Sequence, residues 1–182
     1  MDQELARYLH DHLAGSSGAL LLLQELADNH DVPEAQEFFR DLKMKVESDR
    51  ALLEDLLNKI GKDRGTFFKV AGDVAARVGG IKLLWERVEP GKLGMFEALE
   101  MLALGVQGKR LLWLALQEIS AWFPEWQGFD FAALELEAIE QRDGIEAWRI
   151  EASRDILADS ERRASSSDAL GNDSVGDDPV IV

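Results

Sequence analysis

The amino-acid sequence predicts an all-helical fold built from four long helices. In four long stretches the apolar residues recur at three-, four- and seven-residue steps, the spacing of a helical face. Turn and terminator residues, among them Pro33, Gly61 and Pro124, separate these stretches. The chain has 182 residues, 46% hydrophobic and 30% charged, which is the balance of a soluble globular domain.

The first two predicted helices form a hairpin. The first covers Gln3–Asn29, with an apolar stripe of Leu5, Leu9, Leu13, Leu20, Leu23 and Ala27. Pro33 suits the first position of the second helix, Pro33–Ile60, and Gly61 suits its end. The stripe of the second helix consists of Phe38, Leu42, Val46, Leu53, Leu56 and Ile60.

The second half of the chain predicts another hairpin after a connection of about thirty residues that contains a short helix at 66–78. The helix at 93–123 is apolar almost all round, which predicts a central, well-buried helix. The last helix covers 129–158. Beyond it the sequence is rich in Ser, Asp and Gly without periodicity, so we expect a bundle domain at 1–160 and a disordered tail at 161–182.

Charge narrows the classes of partner. The formal net charge is −15, which argues against binding nucleic acid or an anionic membrane surface, because both require a basic face. The absence of cysteine excludes disulfides, thiolate metal sites and cysteine nucleophiles. The acidic, polar start of the sequence is unlike a signal peptide, so we expect a cytoplasmic protein.

Two helical hairpins joined by a long crossover are the layout of ferritin-like four-helix bundles. Three short segments add to this layout: residues 9–15 (LHDHLAG), 47–50 (ESDR) and 105–109 (GVQGK). Over residues 3–158 the chain thus resembles the ferritin-like superfamily, in particular uncharacterised bacterial members that are poor in metal ligands. The resemblance implies the fold and carries no firm activity.

A di-iron centre in this fold requires Glu-x-x-His on two helices, and no predicted helix has that motif. The nearest matches are Glu47-x-x-Arg50 and Glu140-x-x-Asp143, and a guanidinium cannot bind a metal. We therefore predict no metal and no other cofactor. Iron is the alternative, and its fallback ligands are His12, Glu47, Asp49, Glu100 and Glu140.

Polar residues interrupt the apolar stripes near the middle of all four helices. These residues are His12, Asp49, Lys109, Gln141 and Arg142. In antiparallel hairpins with turns near residues 31 and 125, the five positions lie at similar levels. A buried carboxylate requires a partner, which predicts that Asp49 pairs with Lys109 or His12. Two interpretations stay open: a structural ion pair that fixes helix register, or a polar layer that lines a cavity and binds a small molecule.

Glycines lie midway along two of the helices. Gly15 and Gly18 interrupt the first, and Gly105 and Gly108 interrupt the third long helix. Each costs about 1 kcal/mol relative to alanine. Tight helix packing is the favoured reason for accepting that cost, and space for a ligand is the alternative.

The predicted function is accordingly a non-enzymatic, metal-free bundle that acts in binding or assembly. Assembly would be a homodimer formed through helix faces or through an apolar patch at Trp122 and Trp126. The alternative from another class is a diverged, metal-dependent oxidoreductase of di-iron type or an iron-storage protein.

Overall fold

The computed structural model describes residues 3–60 and 92–158, and this part of the chain contains four long helices and no strand. They are α1 (Gln3–Asn29), α2 (Pro33–Ile60), α3 (Lys92–Ile119) and α4 (Phe131–Ile156). Two short 3₁₀ helices, Ser120–Trp122 and Pro124–Trp126, join α3 to α4. The all-helical prediction is confirmed. The predicted short helix at 66–78 and the predicted tail at 161–182 lie outside the described residues.

The helix ends follow from local chemistry. The bounds of α1 and α2 are those predicted, whereas α3 ends at Ile119, four residues before the predicted end. Pro124 disfavours helical backbone at Phe123, so the chain forms one 3₁₀ turn before Phe123 and a second that begins at Pro124. The last helix begins at Phe131, not 129, because Asp130 caps it: the carboxylate accepts a hydrogen bond from the Ala133 amide at 3.0 Å.

Each hairpin is antiparallel with the register that the turn positions predict. In the first, the Arg50 side chain of α2 reaches the Leu13 carbonyl of α1 at 2.9 Å. In the second, α3 and α4 are joined by side-chain contacts along their length, namely Arg110 with Glu135, Gln107 with Arg142 and Glu100 with Arg149.

The two hairpins meet with α2 and α3 running in the same direction. Near the end of α2, the Leu56 carbonyl accepts a hydrogen bond of 3.3 Å from the Trp126 indole N–H, just beyond α3. At the other end of the bundle, His30 in the α1–α2 turn lies 5.8 Å from Trp148 of α4, measured between ring centroids. The Phe38 ring packs directly against Gly144 of α4 at this end, and a Cβ on Gly144 would lie only 2.7 Å from that ring.

The core contains apolar side chains from all four helices, and two predictions about burial need correction. On α2, Phe39 is fully buried and Phe38 is only half-buried, so the stripe is one residue out of phase at its start. The prediction that the third long helix is buried all round is wrong. A set of large apolar side chains on α3 is 51–67% exposed: Leu93, Met101, Leu104 and Leu111. The reason is geometric, because α3 packs on α1 and α4 and leaves an outer face uncovered by the described residues.

Candidate functional site

A buried polar contact at mid-bundle joins three helices. The Lys109 ammonium of α3 donates hydrogen bonds to the Asp49 carboxylate of α2 and to the side-chain carbonyl of Gln141 of α4. Asp49 is 8% exposed and Gln141 is 5% exposed. All three residues stand at core positions of their helices: Val46 and Leu53 flank Asp49, and Ala138 and Ile145 flank Gln141. The structure thus brings together three of the five residues predicted to form a polar layer.

The electrostatics of this contact are those of a desolvated ion pair. Burial lowers the pKa of the Lys109 ammonium, because removal from water penalises its charged form, while the neighbouring Asp49 carboxylate acts in the opposite direction. The Lys109 ammonium and the Asp49 carboxylate carry opposite charges, so the ion pair has no net charge.

The remaining two residues of the predicted layer lie apart from this contact. The Arg142 side chain turns away from the core and pairs with Asp143 and Gln107. It follows Gln141 in sequence, and one residue rotates a side chain by about 100° around a helix. His12 is half-buried and packs edge-on against Tyr8 at 4.8 Å between ring centroids. Burial lowers the pKa of His12, partly opposed by Asp11.

Beside the polar contact lies a cavity of about 470 Å³ between α1, α2 and α3. Tyr8, His12 and Gly15 line it from α1, Asp49 from α2, and Gly108 and Lys109 from α3. Its volume falls in the range of small-molecule sites, roughly 300–1,000 Å³. Its wall is mostly apolar, with the polar contact at one side.

Three glycines line this cavity and have free space beside them. Apart from its chain neighbours and the backbone of its own helix, a Cβ added to Gly15, Gly105 or Gly108 would meet no atom of the described residues within 4 Å. Within the described residues no other helix packs tightly against these three positions, of which Gly15 and Gly105 are exposed and Gly108 is half-buried. The open space fits the alternative, in which the glycines leave room for a ligand.

Two buried donors close to this region have no hydrogen-bond partner among the described residues. They are the buried indole N–H of Trp113, a residue that lines the cavity, and the side-chain amide nitrogen of Gln141. An indole can only donate, so Trp113 requires an acceptor. Nothing in the sequence distinguishes Trp113 from an ordinary apolar core residue, because periodicity carries no signal for an unmet hydrogen bond.

Arg50 is a second residue whose role the sequence did not reveal. Its guanidinium donates to the Leu13 carbonyl and to the hydroxyls of Ser16 and Ser17, and it pairs with Glu54. It therefore fastens α1 to α2 along the same stretch of α1 that lines the cavity. The pair of serines on α1 was the available signal, since both lie level with Arg50.

The fallback metal ligands do not converge in the described residues. Glu47 pairs with Lys43 on the surface of α2, and Glu100 pairs with Arg149. Glu140 is exposed on α4, while His12 and Asp49 line the cavity. No group of three or more His, Asp or Glu side chains with metal-site spacing occurs within residues 3–60 and 92–158.

The two tryptophans of the predicted apolar patch, Trp122 and Trp126, differ in burial. Trp122 is 73% exposed, but Trp126 is 2% exposed and stacks on Phe123 at 4.3 Å between ring centroids. The prediction of a two-tryptophan surface patch is therefore wrong. Trp126 can be buried because its indole N–H donates a hydrogen bond to the Leu56 carbonyl.

Comparison of the chain with protein-family models, with curated protein sequences and with solved structures gives no match. None of the helices in the described ranges is both long enough and apolar enough to span a membrane.

Proposed function

We propose that this protein is a non-enzymatic, ferritin-like bundle that binds a small molecule in the cavity between α1, α2 and α3. The observation that carries this proposal is the free space beside Gly15, Gly105 and Gly108. A glycine costs about 1 kcal/mol in a helix, and here no close helix contact offsets that cost within the described residues. A ligand against the exposed backbone is a physical reason to keep all three.

The polar contact supports a binding role over catalysis. Both acceptors of the Lys109 ammonium, Asp49 and Gln141, lie on rigid helices. The contact thereby holds α2 and α3, two of the three helices that line the cavity, in fixed positions relative to each other and to α4. A binding site needs such a preformed wall, since ordering it upon binding would cost affinity.

The ferritin-like arrangement is supported by the parallel directions of α2 and α3. Leu56 near the end of α2 and Trp126 after the end of α3 are in contact, so α3 begins at the opposite end of the bundle from Ile60. A helix of 28 residues is about 42 Å long at 1.5 Å per residue. The end of α2 and the start of α3 therefore lie roughly that length apart, which is the separation of the corresponding helix ends in a ferritin-like bundle.

A fluorescent probe and one filled glycine test the binding function. The probe is N-phenyl-1-naphthylamine, an uncharged dye that brightens in apolar sites. Gly108→Leu places a side chain in the open space, and we expect at least a tenfold loss of dye affinity. The melting temperature should be retained or rise, because leucine favours the helix more than glycine.

The matched control is Ala115→Leu, an exposed site two turns further along α3 that does not line the cavity. It should leave dye affinity unchanged. Equal dye affinity in the wild type and in Gly108→Leu would mean that the dye binds elsewhere, and the proposal would be wrong.

Assembly is the second candidate, and the outer face of α3 is the observation that favours it. Leu104 and Leu111 stand two turns apart on one face and are 67% and 51% exposed. We propose this face, in place of the predicted tryptophan patch, as the surface for a homodimer. Sedimentation velocity tests it: Leu104→Glu should convert a dimer to a monomer, and a wild-type monomer at 100 µM (about 2 mg/ml) would remove this candidate.

A further inference from the structure

The ionic side chains that line the cavity balance in number. Asp11 and Asp49 contribute two carboxylates, and Arg50 and Lys109 contribute two cations. Both cations already have carboxylate partners, because Lys109 pairs with Asp49 and Arg50 pairs with Glu54. An anionic ligand would have to compete with one of these pairs, and a cationic ligand with the Lys109–Asp49 pair or with the interaction that Asp11 already makes. The net charge of −15 on the whole chain further opposes an anion.

Among the described residues that line the cavity, Trp113 carries a buried polar group without a partner. Trp113 is 1% exposed, and its indole N–H has no acceptor among the described residues. Buried polar groups in folded proteins are nearly always satisfied. Because this N–H is itself buried, an acceptor on a ligand or a water molecule reaches it when the indole turns toward the cavity that Trp113 lines. An indole accepts no hydrogen bond in return, so the matching ligand atom is a carbonyl, ether or hydroxyl oxygen.

The rest of the wall determines the body of the ligand. Val46 and Leu53 of α2 and Leu112 of α3 present aliphatic surface to the cavity, and Tyr8 adds an aromatic ring. Such walls favour an apolar body by burying its surface. The glycine backbone on two sides lets a flat or branched body approach the helices closely.

From these observations we infer that the cavity takes an uncharged, largely apolar molecule with one hydrogen-bond acceptor, which the Trp113 indole N–H satisfies. This inference rests on the proposed binding function. It names the class of ligand and the contact that selects it. The neutral Lys109–Asp49 pair stays in the wall and does not act as the counter-ion of a bound charge.

A matched set of eight-carbon compounds tests the class on the full chain. The compounds are 2-octanone with an acceptor, 1-octene without one, octanoate as the anion and octylammonium as the cation. Each displaces N-phenyl-1-naphthylamine in a titration. We expect 2-octanone to act at a concentration at least tenfold lower than either ion, and about fivefold lower than 1-octene.

The hydrogen bond from the Trp113 indole N–H to the ligand is observed in a ¹H–¹⁵N spectrum. The five tryptophans of the chain give five indole N–H resonances. The Trp113 resonance should shift with 2-octanone and not with 1-octene. It is assigned from Trp113→Phe, or by elimination with Phe at the other four tryptophans if that variant fails to fold. Trp113→Phe should remove the fivefold preference for the ketone, whereas Trp148→Phe, outside the cavity, should keep it.

The possible failures are distinct. If the dye and all four compounds fail to bind, the proposed function itself is wrong. If an ion binds as well as the ketone while Gly108→Leu still blocks the dye, the site stands and the ligand class is wrong. Equal affinity for ketone and alkene, with no shift at Trp113, would overturn the acceptor contact.

Discussion

Removing the Asp49 carboxylate tests whether the buried contact behaves as an ion pair. Asp49→Ala leaves the Lys109 ammonium with Gln141 as its remaining acceptor among residues 3–60 and 92–158. The side chains of Lys109 and Asp49 are 14% and 11% exposed, so water replaces the carboxylate poorly. Breaking one side of a buried pair costs about 3–5 kcal/mol.

The protonation equilibrium of Lys109 limits the part of that loss that comes from the unpaired charge. An ammonium that cannot remain charged loses its proton, and for a lysine with an unfolded pKa of about 10.4 this costs about 4.6 kcal/mol at pH 7. The open cavity beside Lys109 admits some solvent and reduces the cost. We expect the free energy of unfolding to fall by on the order of 3 kcal/mol in urea denaturation at pH 7.

The pH dependence identifies the cause. Without Asp49, the pKa of folded Lys109 falls further below the unfolded value, so the unfolded state binds more protons between the two pKa values. Stability of Asp49→Ala therefore rises with pH, by up to about 1.4 kcal/mol per pH unit, where the wild type changes less. Between pH 7 and pH 9 the variant should recover at least about 1 kcal/mol relative to the wild type.

Two comparisons complete the test. Asp55→Ala removes an exposed carboxylate from the same helix, where it pairs with Lys59, and should cost less than about 1 kcal/mol. The double variant Asp49→Leu with Lys109→Met should lose less stability than Asp49→Leu alone or Lys109→Met alone, because it leaves no buried charge. Strictly additive losses in this double-mutant cycle would refute the pairing.

Three further predictions concern pH, metal and the end of the chain. Burial lowers the pKa of His10, His12 and His30, so the unfolded state takes up protons first as pH falls. Stability should therefore drop in thermal melts below about pH 6.5, and by less in His12→Gln. Glu47 pairs with Lys43 and Glu100 pairs with Arg149, so these two carboxylates do not converge on one site. Elemental analysis after aerobic incubation with ferrous iron should therefore find no stoichiometric iron. Two irons per chain retained through gel filtration would contradict this. Deleting residues 162–182, which lack apolar periodicity, should leave the melting temperature unchanged within about 2 °C, and a drop of ten degrees would show that they pack on the bundle.

The sequence predicted the helices well where short-range chemistry decides them. Pro33 and the α1 stripe determined the first hairpin, and the positions of the turns determined which residues face each other across it. The register of the second hairpin predicted that Lys109 and Gln141 lie at the same level. The burial of Asp49 predicted that its carboxylate has a partner. These features depend on helical geometry and on the cost of burying a charge, both of which can be read from residue types and spacing.

The sequence was less informative where the distance between helices decides. Periodicity identifies the inward face of a helix but not how closely its neighbour approaches. Close packing and an open cavity at Gly15 and Gly108 were therefore indistinguishable. The same limit explains α3, since an apolar residue such as Leu104 reads as core whether or not a helix covers it. Composition cannot show which apolar face is left over.

The cavity owes its shape to two linkages of different chemistry. The Lys109 contact joins α2, α3 and α4 through the core, whereas Arg50 fastens α1 to α2 through the Leu13 carbonyl and two serine hydroxyls. The glycines lie where α1 faces α3, so the width of the cavity depends on where Arg50 holds α1. The first linkage therefore governs global stability, because it neutralises a buried charge. The second governs the geometry of the site, because it positions the one wall that the polar contact does not reach.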